Sequence, residues 1–374
     1  MTDPSRPHIY EHPGSLGSFR SWLRLLGQSE GLDRQFWLRV LFVSASTLLT
    51  SPLRLYERLR YDRRLGEVAV HPAPIFIVGH WRTGTTHLHN LLCQDPELAW
   101  VTTFQGLAPG FCLSGDRLLK PALQAISRRL HPTRLIDEIP LVFDDPQEDD
   151  FAVANLSPFS FLHLFTFPRQ AAHFFERYAL LEGLSEAELA EWRQVYLAVL
   201  RKASYRAGGK RLALKSPVNS GRIGALLELF PQAKFIHIAR NPYDVFLSNR
   251  KLYHTVLPRA QVQQVSPQQI DALILGFYRR LLQKYLADKA LIPPGSLVEV
   301  RYEELEAAPL EQLRRVYEQL ELPGFARAEP AVRAYLGSIA GYRKNRHALS
   351  GEVIASVNQH WGFAFDTWDY PRLP

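Results

Sequence analysis

The sequence predicts an α/β fold of three layers, with a mostly parallel central sheet between helices. Three observations carry that prediction. Short apolar runs rich in β-branched residues, such as Ile75–Val78, read as parallel strands covered on both faces. These runs alternate with stretches of helical periodicity, the pattern of right-handed crossover units. Cationic residues fall just after the runs, at the carboxyl ends where such sheets bind ligands.

Taken in order, residues 1–70 read as a helical extension without a recognisable site. Within it, Phe36–Thr50 is apolar apart from Arg39, and the basic stretch Arg54–Arg64 follows. Spanning a bilayer takes roughly 20 apolar residues, and this run reads as too short and too polar at Ser44–Thr47. The expectation is a helix buried against the main domain; peripheral membrane contact through 36–64 is the alternative. His71-Pro-Ala-Pro74 is a stiff boundary before the first strand. Glycines and prolines punctuate short helices between Phe104 and Asp150. The phenylalanine-rich stretch 151–175 reads as core or as the wall of an apolar pocket. Ser185 and Glu188 resemble a capping box opening a helix to Arg206. Further strands are predicted at Arg211–Lys215, Lys234–Ala239 and Leu297–Arg301, with helices over 223–230, from Pro242, and over 267–289. Residues 71–350 are taken as the main α/β domain and 351–374 as a tail packed on it.

Composition narrows the function. The chain has 374 residues, a formal charge of +7 and only two cysteines, Cys93 and Cys112. No disulfide framework is possible, so a cytoplasmic, reducing compartment is expected. The polar, proline-bearing N-terminus has no signal-peptide core. Basic residues are spread among acids without a basic block, which argues for an anionic small molecule and against nucleic acid. No metal-ligand spacing stands out: His87 and His89 fall on different helix faces.

Gly79 and Gly84 occupy the two glycine positions of G-x-x-x-x-G-K-[ST], which makes the fold P-loop-like. Thr85 stands where the lysine belongs, and the loop's cation is Arg82. A loop without that lysine points away from nucleoside triphosphates but still binds an anion. A second segment, Arg240-Asn-Pro-Tyr-Asp-Val-Phe-Leu-Ser248, follows the strand 234–239 and aims a guanidinium and a hydroxyl at one spot, a clamp for a monophosphate.

Together these segments resemble the PAPS-dependent sulfotransferases, particularly the bacterial family often called sulfotransferase family 3. The resemblance rests on Trp81-Arg-Thr-Gly-Thr-Thr86, Arg240–Ser248, Leu214-Lys-Ser-Pro217, Val300-Arg-Tyr-Glu-Glu-Leu305 and Pro146-Gln-Glu-Asp-Asp-Phe-Ala152. It covers about residues 74–350. It implies transfer of a sulfuryl group from 3′-phosphoadenosine 5′-phosphosulfate (PAPS) to a hydroxyl, before an amine, of an apolar or amphipathic acceptor, without a metal. Arg82, Thr83, Gly84, Thr85 and Thr86 would cradle the 5′-phosphosulfate. Arg240 and Ser248 would hold the 3′-phosphate, helped by Tyr342, Lys344 and Arg346. Arg82 would neutralise charge developing on the bridging oxygen as the sulfuryl group departs, and Lys215 would hold the sulfuryl oxygens. The histidine that relatives carry after the lysine is replaced here by Pro217 and Asn219, so the proton acceptor is sought in Glu148 first and Asp149 second. The alternatives are a P-loop phosphotransferase with a degenerate loop, and a non-catalytic binder of 3′-phosphonucleotides or membrane surfaces.

Overall fold

The computed structural model describes residues 12–130, 140–339 and 349–374. The chain separates into two compact units, each assembled from discontinuous segments. One comprises the described residues of Met1–Val70, Val101–Gly209 and Lys251–Ile270; the other comprises His71–Trp100, Lys210–Arg250 and the described residues of Asp271–Pro374.

The second unit carries the sheet. Its strands are β1 (Ile75–Gly79), β2 (Leu98–Ala99), β3 (Arg211–Lys215), β4 (Lys234–Ala239) and β5 (Leu297–Arg301), in the order β2-β3-β1-β4-β5. Every pairing is parallel, with Ile77 opposite Lys215 and Gly79 opposite Ile238. Period-two alternation divides the core. Ile75, Ile77, Ile236, Ile238, Val298 and Val300 form one buried face with Leu88 and Leu91 of the helix Thr85–Leu92 and Leu313 and Val316 of the helix Pro309–Gln319. The opposite face is aromatic: Phe76 stacks on Phe235 at 5.5 Å, and His237 stacks on Tyr285 at 3.9 Å and Trp368 at 5.2 Å. Tyr285 belongs to the helix Pro267–Asp288 and Trp368 to the helix Gly351–Trp368, whose Trp361 is fully buried against Tyr278 at 3.7 Å. The predicted three-layer α/β fold is therefore present, with one strand more than the sequence reading found.

The first unit is helical among its described residues. Helices Trp37–Leu49 and Ser51–Gly66 occupy the segment expected to be helical, and Glu186–Arg206 opens on the Ser185–Glu188 capping box. Phe159, Phe161 and Phe167 are core residues here, each almost wholly buried. Glu57 is buried and accepts a hydrogen bond from Lys202 Nζ at 2.6 Å, as well as from the Leu113 and Ser114 amides at 2.9 Å. A buried carboxylate needs that many donors to offset its lost hydration. Arg39, the one charge in the apolar run, turns inward. It donates to the carbonyls of Gln261 and Pro258, the latter at 2.7 Å.

Candidate active site

In the sheet unit, order reverses around β1: β3 lies on one side and β4 on the other, so the crevice outside their carboxyl ends is the place for a ligand. The loop leaving β1 is shaped for close backbone approach. Gly79 has φ +148°, and a Cβ there would sit 2.6 Å from the carbonyl oxygen of Ile238. Gly84 has φ +98°, and its Cβ would strike the Tyr302 ring at 2.2 Å. Arg82, between them, holds the left-handed conformation at φ 71°, a cost tolerated where the surroundings fix the loop.

Those surroundings are specific. Ser220 Oγ accepts from the Gly79 amide at 2.8 Å and donates to the Gly79 carbonyl at 2.9 Å. Asn249 Nδ2 donates to the Trp81 carbonyl at 3.0 Å, and Thr83 Oγ1 donates to the His80 carbonyl at 2.8 Å. His80 is buried, and loss of hydration lowers its pKa to about 3, so the imidazole is neutral and serves packing against Trp81 and Tyr278. The helix Thr85–Leu92 then starts directly after Gly84, with its first amides facing the loop.

The predicted cations converge on this loop. Arg82 Nε donates to Ser248 Oγ at 2.8 Å, and Arg240 Nη1 donates to the Arg82 carbonyl at 3.1 Å. Lys215, at the end of β3 and 3% exposed, donates to Thr86 Oγ1 at 3.2 Å. The Arg240 guanidinium lies over the Tyr302 ring at 4.5 Å and pairs with Asp244 at 3.6 Å. Its Nε, like Ser216 Oγ beside Lys215, is buried with no hydrogen-bond partner among the described residues. Arg82, Thr83, Gly84, Thr85, Thr86, Lys215, Arg240 and Ser248 thus form one constellation in one unit.

Glu148 and Asp149 belong to the helical unit. Glu148 is half-buried at the N-cap position of the helix Asp149–Leu156, and its side chain makes no capping hydrogen bond. Asp149 is fully buried and accepts from Tyr196 Oη at 2.7 Å; Asp150 accepts from Ser160 Oγ at 2.5 Å. Tyr342, Lys344 and Arg346 lie outside the described residues. His163 is buried, with Nε2 2.9 Å from the Ser157 carbonyl, and burial lowers its pKa to about 4. His89 is packed likewise, its Nε2 3.0 Å from the Ala213 carbonyl.

Three supports escaped the sequence reading. Ser220 and Asn249 grip the loop across long sequence separations, and only the adjacency of Asn249 to Ser248 hinted at its place. Tyr302 stood in a recognised motif, but its contacts with Gly84 and Arg240 are purely tertiary. Glu303, next to it, accepts from the Asn241 amide at 3.0 Å and from Tyr370 Oη at 2.7 Å, fixing the turn that presents Arg240.

Comparison with known proteins agrees with this geometry. Residues 74–327 match the family described as the Sulfotransferase family. The chain is 34% identical to the omega-hydroxy-beta-dihydromenaquinone-9 sulfotransferase Stf3 of Mycobacterium bovis over 95% of its own length and 90% of that protein's. The Stf3 of Mycobacterium tuberculosis matches to the same extent. In fold, the chain is similar to the sulfotransferase STF1 of M. tuberculosis, with a TM-score of 0.69 at 19% identity over 92% of both chains. It is also similar to STF9 of Mycobacterium avium, with a TM-score of 0.68 at 23% identity over 94% of this chain and 92% of the other. With a P-loop-like strand and loop, strand-end cations and these relatives in agreement, the chain belongs to the sulfotransferase family and is a sulfotransferase.

Proposed function

We propose that this enzyme transfers a sulfuryl group from PAPS to a hydroxyl of a lipid-like acceptor. The observation that carries the reading is the convergence of Arg82, Lys215 and Arg240 on a loop whose glycines admit no side chain. Buried donors without hydrogen-bond partners among the described residues, Arg240 Nε and Ser216 Oγ, fit a ligand that is anionic at more than one point. The Thr83–Thr86 amides and the Thr85 and Thr86 hydroxyls would hold the 5′ end. Arg240 and Ser248 would hold the 3′-phosphate, and Tyr342, Lys344 and Arg346 would complete that grip.

The bound donor supplies a sulfuryl group and a phosphate leaving group that gains charge as the S–O bond breaks. Arg82 and Lys215 stabilise that charge as fixed cations. Glu148 accepts the proton of the attacking hydroxyl, with Asp149 as second candidate. Glu148 ranks first because the Asp149 carboxylate is engaged by Tyr196 in the interior of its unit. The acceptor class rests on the relation to Stf3, whose substrate is named as a hydroxylated menaquinone derivative. Contact with a membrane surface through residues 36–64 belongs to the same reading.

Calorimetric titration with adenosine 3′,5′-bisphosphate, beside ATP and AMP and without metal, tests the donor. Selective binding of the bisphosphate is expected. A preference for ATP that requires Mg²⁺ overturns the reading and returns the loop to phosphotransferase chemistry.

A further inference from the structure

The helix Trp37–Leu49 has two apolar faces, and the described residues cover one of them. Val40, Val43 and Thr47 are buried, and Arg39 is buried with them. The other face is open: Trp37 is 51% exposed, Leu38 64%, Leu41 58%, Leu48 53% and Leu49 77%. At 3.6 residues per turn these five positions and the exposed Ala45 share one arc of about 120°. With Arg39 turned inward, that arc holds no charge at all. The helix Ser51–Gly66 continues the pattern. Leu55, Tyr56 and Leu59 are exposed at its start, Leu59 by 81%, and Arg58, Arg60, Arg63 and Arg64 are exposed toward its end. Against those four arginines stand the exposed acids Asp62 and Glu67, paired to Arg58 at 3.5 Å and Arg63 at 4.0 Å.

The run Arg34–Gly66 is long and apolar enough to cross a membrane by length and composition, and only 22% of its most apolar window is buried. Crossing would surround the helix with lipid on every side, yet its inward face is committed to Val40, Val43 and the Arg39 carbonyl contacts. One open apolar face with an arginine flank is instead the form of a helix lying in the plane of a bilayer surface. We propose that Trp37–Leu49 and Ser51–Gly66 dock this enzyme on anionic lipid. The leucines of the first helix enter the acyl boundary, Trp37 sits at the interface, and Arg60, Arg63 and Arg64 meet the headgroups. This deepens the proposed function and rests on it for its purpose, since a bilayer is where a lipid-like acceptor resides. A second copy of the chain covering the same leucines is the rival occupant, and sedimentation distinguishes it.

Vesicle flotation of the full chain tests the docking without donor or acceptor. Vesicles of phosphatidylcholine with 30% phosphatidylglycerol should carry the protein at low salt, and pure phosphatidylcholine should carry far less. The variant L41D/L48D should lower partitioning roughly 100-fold, and R60E/R63E roughly tenfold or more with a weaker salt dependence. Thermal melting and bisphosphate binding should be unchanged in both, which separates lost docking from lost fold. Absence of flotation overturns the proposal. So does equal binding to neutral vesicles, or a dimer in sedimentation that L41D/L48D dissolves. Because flotation needs neither PAPS nor substrate, failure of the proposed chemistry leaves this result standing, and failure here leaves the titration standing.

Discussion

At the residue scale, the proposed roles divide into binding and reaction. Arg240 stacks on Tyr302 and reaches the Arg82 carbonyl, so its planar fork is already oriented before any ligand arrives. Arg240→Ala should weaken adenosine 3′,5′-bisphosphate roughly 10- to 100-fold by calorimetry while barely affecting AMP. Equal losses on both ligands would remove the 3′ clamp. Arg82→Ala should lower kcat roughly 100- to 1,000-fold with the melting temperature nearly intact, because Arg82 is half-buried and outside the core. Unchanged turnover would sink its assigned role. Glu148→Gln should lower kcat by at least roughly 100-fold in a steady-state assay, and full activity would move the base to Asp149. Arg82 and Arg240 were legible because one lies between a glycine pair and the other ends an apolar run, whereas Glu148 was reached only through the Pro146–Ala152 motif. Ser220, Asn249 and Tyr302 were not, because what defines them is a contact with a distant segment.

At the scale of elements, strands β1, β3, β4 and β5 were readable because three or four apolar residues fill most of their five or six positions. The two-residue β2 has no period to read and exists only through its pairing with Arg211 and Leu212. The helix Trp37–Leu49 shows another limit. In sequence Arg39 looks like a solvated interruption, whereas backbone carbonyls at Pro258 and Gln261 draw it inside and leave the outer face wholly apolar. The helices Ser51–Gly66 and Glu186–Arg206 are tied by the Glu57–Lys202 pair, with side chains 1% and 11% exposed. Lys202→Met should therefore destabilise the protein by about 3–5 kcal/mol in chemical denaturation, since it strands a buried carboxylate. A loss under 1 kcal/mol would mean that the amides of Leu113 and Ser114 suffice for Glu57.

For the whole molecule, four buried histidines couple stability to pH. Burial lowers His12 and His80 to a pKa of about 3, and His163 and His237 to about 4. Each takes up a proton more readily in the unfolded chain, whose pKa is 6.5, so unfolding binds protons below that value. Stability is complete above about pH 6.5 and falls as pH drops toward 4, by up to about 1.4 kcal/mol per pH unit for each histidine. The melting temperature should fall steeply across that window; a flat profile from pH 7 to pH 4.5 would mean that these rings are hydrated in solution.

The sheet order also governs the sequence of events on the ribosome. β1 is made early, but its neighbours β3 and β4 begin only at Arg211 and Lys234. At cellular synthesis rates the strand Ile75–Gly79, buried throughout in the finished fold, spends on the order of ten seconds without either partner. The helical unit has its last segment by Ile270, while the sheet unit still awaits β5 and the helix ending at Trp368. Nascent chains of this enzyme should thus expose an apolar strand edge while residues 80–210 are made, and soluble yield should respond to slower translation and to chaperones that bind extended apolar segments.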